Sequence, residues 1–302
     1  ILPFVALVAD PGLLETNIYL AEAYEYGQRF GINSPHQFLM LLGVLMFGVL
    51  VSSLAFKMLT IFIQLRFMLK REFSIGKRLM EGYLGQPYAW LISKNSSDIA
   101  KTVLSEVNYV VHNSLVPMIE LIAQGLVVIA MFTLLVVVDP VLAFCTFFIF
   151  GLSYGVILLT TRKFLARVGE QRVTANKERF AAVSEAFGAL KEVKMGNLED
   201  VCVTKFSFPA KSYSEHQASE LSIRWMPRYV IEAIAFGGII SILLVLLKNN
   251  GDVATALPVL ALYTYAGYRM LPALQKIYGA LTQIRFSGPA LDALQLEIQS
   301  LK

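Results

Sequence analysis

RKFLARVGEQRVTANKERFAAVSEAFGALKEVKMG, residues 162–196, decides how the chain is organised. It contains no proline, and Val173, Asn176, Phe180, Val183, Phe187 and Leu190 recur along it at alternating spacings of three and four. That rhythm is a helix stripe close to a heptad seam. Thirty-five helical residues extend about 50 Å at 1.5 Å each. The stretch is highly charged and follows a long apolar run, so it predicts a helix that leaves an apolar environment and continues far into water.

Composition names that environment. Of 302 residues, 56% are hydrophobic and 16% charged, and mean hydropathy is +0.60. A soluble domain is about 25% charged, so the depletion points to a membrane protein. Cys145 sits in an apolar run and Cys202 in a charged one, which argues against a disulfide framework. His36, His112 and His216 lie far apart, without metal-ligand spacing. The first residue is Ile, which suggests a fragment or a processed form, and ILPFVALVA lacks the basic start of a signal peptide.

Five stretches are apolar enough to cross a hydrocarbon core, which takes about 20 helical residues: 38–63, 115–138, 140–161, 226–247 and 254–274. Asp139-Pro140 forces the second and third into a hairpin. Residues 1–9 read as the tail of a further span. Segments 66–114, 162–225 and 275–302 hold 7, 11 and 3 of the 26 Lys and Arg, whereas 10–36, 139 and 248–253 hold only Arg29 and Lys248. The positive-inside rule makes the basic segments cytoplasmic. A stub running outward at 1–9 then requires a mostly missing first span, and six spans with both ends inside complete the architecture.

Residues 64–86 and 98–114 also read as stalks, with a break at Gln86-Pro87. Two cytoplasmic turning points result, near KNSSDIAKT (94–102) and NLEDVCVTKF (197–206). Each begins with Ser or Asn followed by Asp or Glu, the pattern of a brief, capped helix. A short helix at the tip of a lever suits a groove on another domain, and equally suits a plain connector.

The order of spans, with YLGQPYAWLISKNSSDIAKTVLSEV after one and SEAFGALKEVKMGNLEDVCVTKF after another, resembles the transmembrane domain of ATP-binding-cassette exporters. Glu185, Gly188, Lys191 and Lys194 carry a matching Glu-x-x-Gly-x-x-Lys-x-x-Lys pattern. The resemblance covers nearly the whole of 1–302 and implies an all-α membrane protein, the type-1 exporter bundle with long cytoplasmic helix extensions. It implies that Asn95, Ser96, Ser97, Asp98 and Lys101, and then Glu199, Asp200 and Phe206, lie in coupling helices docked on nucleotide-binding domains. No G-x-x-x-x-G-K-[ST] loop occurs in the chain. ATP and Mg are therefore expected on a nucleotide-binding domain placed after 302, and no catalytic residue or metal ligand is assigned here.

Ionisable residues inside spans are costly and hence candidates for function. Lys57, Glu120, Arg228, Glu232 and Arg269 all fall in the cytoplasmic half of their spans. Lys57 can snorkel, Arg228 and Glu232 are spaced to pair, and Glu120 with Gln124 suits helix–helix glue. Arg269 lies too deep for any of these. Its context, Arg269-Met-Leu-Pro-Ala-Leu-Gln-Lys276-Ile, resembles an Arg-x-Leu-Pro-x-x-x-Arg-Ile pattern in exporters related to lipid-linked oligosaccharide flippases. Lys276 replaces the second Arg, keeping the charge and losing the bidentate fork. Residues 11–36, with LLETNIYLAEAYEYGQRF, resemble the short external helix of those flippases, and are also compatible with an interfacial cap. The resemblance implies that Arg269, with Arg228 and Lys57, engages a pyrophosphate-linked saccharide lipid.

Gly151 and Gly155 form a GxxxG that predicts a close helix contact, and Tyr263, Tyr265 and Tyr268 suit either sugar stacking or aromatic packing. The expectation is thus an ATP-driven flippase of a bacterial plasma membrane, working with a second copy of itself and with no nucleic-acid partner. General lipid, drug or peptide export is the alternative. A channel or ion-coupled transporter would call for inverted repeats with broken helices, which are not seen. A transport-silent regulatory membrane module is also compatible with the residues.

Overall fold

The computed structural model describes residues 34–138, 140–248 and 253–301. Residues 1–33, including the expected span stub and the external helix, lie outside the described residues. Helix α1 (Pro35–Leu84) leads through α2 (Tyr88–Ser93) to α3 (Ser96–Ala100), a π-helical turn (Lys101–Glu106), α4 (Val107–Val110), a second π turn (Val111–Leu115) and α5 (Val116–Val138). Then come α6 (Pro140–Gly188), α7 (Leu190–Met195), α8 (Glu199–Lys248) and α9 (Val253–Ser300). No strand occurs among the described residues. The expected all-α bundle is what folds.

Two compact units divide the chain inside α1, at 1–67 and 68–302. In the first, α1 carries Val44, Phe47, Phe56 and Met58 at 68–76% exposure. Among the described residues two helices, His36–Leu84 and Ser96–Val137, are long and apolar enough to cross a membrane, with 6% and 12% of their most apolar windows buried. So much bare apolar helix is stable only against lipid or further protein.

In the second unit, α6 packs on α8 and α9, and α9 packs on α5. The largest buried cluster is not in the spans. It lies in the stalks, where Leu79, Tyr83, Val107, Val110, Val111, Leu165, Val168 and Phe286 meet. Stalks bathed in water must hide their apolar stripe, whereas spans bathed in lipid gain little from hiding theirs. Closest approach occurs at Gly169, where a Cβ would collide with the Phe286 carbonyl. By contrast, nothing lies within 4 Å of a Cβ at Gly151 or Gly155 among the described residues. The close contact expected from that GxxxG is therefore not made within the described part of the chain.

The 162–196 stalk is also corrected in detail. Its helix ends at Gly188, Ala189 takes φ −113° and ψ 37°, and a separate helix runs from Leu190 to Met195. Glycine costs about 1 kcal/mol inside a helix, which makes this the weak point of the stretch. Asn176 on the predicted stripe is fully buried, but Phe187 is 70% exposed, so the seam is closed only over its first half.

Candidate functional site

The connectors lie a few residues before the expected stretches. After Gly85-Gln86-Pro87 the short helix is Tyr88–Ser93, and Asn95 caps the returning stalk. Its Oδ1 accepts from the Ser97 amide at 3.1 Å and the Ser97 hydroxyl at 2.9 Å. Asp98 pairs with Lys177 at 3.1 Å, and Ser97 and Lys101 are enclosed at 6% and 8% exposure. Asn95 and Ser96 are exposed. The sequence reading missed Tyr88 and Ile92, one turn apart and 78% and 67% exposed. Their signal was the i, i+4 apolar spacing directly after Pro87.

This first connector is fixed to the far end of α9. The Tyr83 hydroxyl donates to Glu297 at 2.9 Å, Lys94 lies 3.7 Å from the same carboxylate, and Gln86 donates to the Leu301 carbonyl at 3.5 Å.

The second connector is α7, and Glu199, Asp200 and Phe206 belong to the opening turns of α8 instead of a separate brief helix. Gly196 caps α7, Asn197 adopts a left-handed φ of 51°, and the Leu198 amide donates back to the Val193 carbonyl at 2.9 Å. Asparagine tolerates that conformation, and the bond is the six-to-one closure of a Schellman turn. Lys194 donates to Glu199 at 2.8 Å, and this bond holds the Glu199 carboxyl below its ordinary value. Asp200 is exposed. Phe206, with Val183, Phe187, Leu190, Cys202 and Val203, lines an apolar groove of about 410 Å³.

Between connectors and spans, a buried polar cluster ties the stalks together. Arg172 donates to Glu106 at 2.8 Å and to the Tyr213 hydroxyl at 3.4 Å, and its guanidinium lies 3.4 Å from the Tyr109 ring centre. Burial pulls Arg172 down, but Glu106, Tyr109 and Tyr213 outweigh it and hold the guanidinium above its ordinary value. Asn176 donates to Glu106 and accepts from Arg179 at 2.7 Å. Nearby, the second π turn offers its Asn113 carbonyl to the Ser287 hydroxyl at 2.8 Å, and Gln283 donates to the Asn113 side chain at 2.7 Å. π turns disturb the regular helix ladder, and here α9 supplies partners.

Above this cluster lies a cavity of about 430 Å³, lined among others by Glu120, Arg224, Trp225, Arg228, Gln275 and Lys276. Helices α5, α8 and α9 each contribute. The Tyr278 hydroxyl donates to the Ile223 carbonyl at 3.1 Å, and the Arg224 stem passes over Gly279, where a Cβ would sit 3.5 Å from its Cγ. Arg228 donates to Glu232 at 2.7 Å, the pairing that the i, i+4 spacing predicted. Lys276, noted only as a substitution in a motif, and Arg224 prove to be cavity residues. Lys57 is exposed on α1 in the other unit. The backbone of Arg269 is in α9, and its side chain lies outside the described residues, as do Tyr263, Tyr265, Tyr268 and Cys145.

Residues 4–251 match the family described as the ABC transporter transmembrane region. Long apolar helices bare to their surroundings, helical extensions with their own buried core and short connectors at their tips accord with that match. The chain is an integral membrane protein and belongs to the ABC transporter transmembrane region family.

Proposed function

We propose that this chain is the membrane half of an ATP-driven flippase whose substrate is an amphipathic lipid with a phosphate-bearing head, a pyrophosphate-linked saccharide above all. The observation that carries the reading is the cavity lined by Arg224, Arg228 and Lys276, which the positive-inside reading would put near the inner ends of the spans. Cations in such a site cost several kcal/mol unless they line water or meet an anion. Arg228 and Arg269, assisted by Lys57, are assigned to the head group, because a guanidinium matches a phosphate bidentately.

The working unit in this reading is two copies of the chain, each with a nucleotide-binding domain, in a bacterial plasma membrane. Nucleotide and Mg belong to that domain, since the glycine-rich phosphate loop is missing from these 302 residues. Closure of the domains would push on Asn95–Lys101 and Glu199–Phe206, with the exposed Tyr88 and Ile92 beside them. Helices as long as α6, α8 and α9 carry such a push as levers. The buried Arg172 cluster would make the stalks move together.

The test is ATP-dependent flipping of a pyrophosphate-linked lipid in vesicles containing the complete transporter. Arg269→Ala is expected to abolish it, and Arg269→Lys to restore part, since a point charge lacks the fork. Normal flipping by the Ala variant, with helix content retained, would remove Arg269 from the site.

A further inference from the structure

The cavity is not lined by cations alone. Beside Arg224, Arg228 and Lys276 stand the Glu120 carboxylate from α5, the Trp225 indole from α8 and the Gln275 amide from α9. A site built only for phosphate has no use for these three. A carboxylate facing a phosphate repels it, most of all where water is scarce. Glu120 accepts hydrogen bonds, so its place in the cavity calls for a ligand with donors close to its negative charge.

Trp225 narrows the choice. The residue is 50% exposed, and an indole offers a flat apolar face with a polar edge. Such a face covers the C–H side of a ring, while the hydroxyls at the ring's rim remain free to bond elsewhere. Gln275 both donates and accepts, as a hydroxyl also does, so the two match in either direction. At about 430 Å³ the space is within the ~300–1,000 Å³ of small-molecule sites, which are apolar with a few convergent polar groups.

We infer that the cavity reads the saccharide of the head group: Trp225 packs on the sugar ring, Glu120 and Gln275 bond its hydroxyls, and the cations take the adjoining phosphate. The inference rests on the proposed function and adds three specificity-determining residues to it. An amine-bearing head, in which Glu120 pairs with an ammonium, is the rival chemistry. There Trp225 takes the ammonium by cation–π contact, and Gln275 alone is left without a role.

The experiment uses the complete transporter in vesicles and compares three lipids. One is a polyprenyl pyrophosphate carrying a single sugar, one the bare polyprenyl pyrophosphate, and one phosphatidylethanolamine. The wild type is expected to flip the sugar-bearing lipid faster than the bare one. Trp225→Leu and Glu120→Gln should each reduce that ratio about tenfold, the size of discrimination a few contacts can give. Trp225→Phe, which keeps a ring face, should retain most of it. A ratio unchanged in both the Leu and Gln variants, or no preference in the wild type, overturns the saccharide assignment and leaves the flippase reading standing. Preferred flipping of phosphatidylethanolamine that Glu120→Gln removes overturns it in favour of the amine. A wild type that moves neither pyrophosphate lipid overturns the flippase reading itself, and this assignment with it.

Discussion

Arg172 on α6 donates to Glu106 at 2.8 Å with the two side chains 1% and 7% exposed, and the pair joins one stalk to the π turn of another. Removing one partner of a buried pair leaves an uncompensated charge, which costs about 3–5 kcal/mol. Arg172→Ala should therefore lower the thermal midpoint of the detergent-solubilised protein strongly. Replacing both, Arg172→Met with Glu106→Gln, should restore most of the loss, because no charge is then left behind and the new amide oxygen can still accept from Asn176. A double variant as unstable as the single one would contradict this account.

Gly169 gives the second prediction. A methyl group there would meet the Phe286 carbonyl, which belongs to backbone and cannot swing aside. Gly169→Ala should separate α6 from α9 and destabilise by about 1–3 kcal/mol, the usual cost of overpacking. Gly151→Ala and Gly155→Ala, with nothing within 4 Å of the new atom among the described residues, should be neutral or gain up to about 1 kcal/mol from helix propensity. Parallel melting curves of the three variants decide the matter.

The same glycines show what could be read from sequence and what could not. Apolar length, the basic loops and the three-and-four rhythm of 162–196 report on one helix and its solvent, and they led to the right fold. Contact between helices depends on how each is rotated and where it ends. A GxxxG therefore pointed to Gly151 and Gly155, while the tight crossing fell on an isolated Gly169. The connectors slipped by a few residues for a related reason: Asn95 and Glu199 mark where a stalk starts again, and the short helices precede these starts. Arg224 and Lys276 gave no signal of their own, because a cavity exists only once three helices are placed together. Arg228 with Glu232 was legible, since both partners lie on one helix turn.

Glu220 should make stability depend on pH. It is 5% exposed, and burial raises its carboxyl above the ordinary value, with Arg224 at 3.4 Å opposing the shift only in part. A raised folded-state pKa means that the folded chain holds the proton more tightly than the unfolded one. The resulting stabilisation is present below the ordinary range, about pH 4.3, and is lost as pH rises through the folded value. Glu220→Gln carries no ionisable proton, so its midpoint should gain on the wild type as pH is raised from 4 towards neutrality. Parallel curves for the two proteins across that window would show that Glu220 ionises freely.

The last prediction concerns how an anionic head group competes with an existing partner. Arg228 lines the cavity, yet its guanidinium already donates to Glu232 at 2.7 Å. The two side chains are 45% and 32% exposed, so the pair is open to a competing anion. Under the proposed function, a phosphate binding to Arg228 must displace that partner. Glu232→Gln removes the competing charge and keeps the shape, so binding of a pyrophosphate lipid should tighten, by roughly several-fold at most for a weak ion pair. Arg228→Gln should weaken binding, and adding Glu232→Gln to it should bring no further gain, because the released guanidinium is then missing. Titration of the lipid into the four proteins measures the cycle. Equal tightening by Glu232→Gln with and without Arg228 would mean that Glu232 repels the head group directly and does not compete for Arg228.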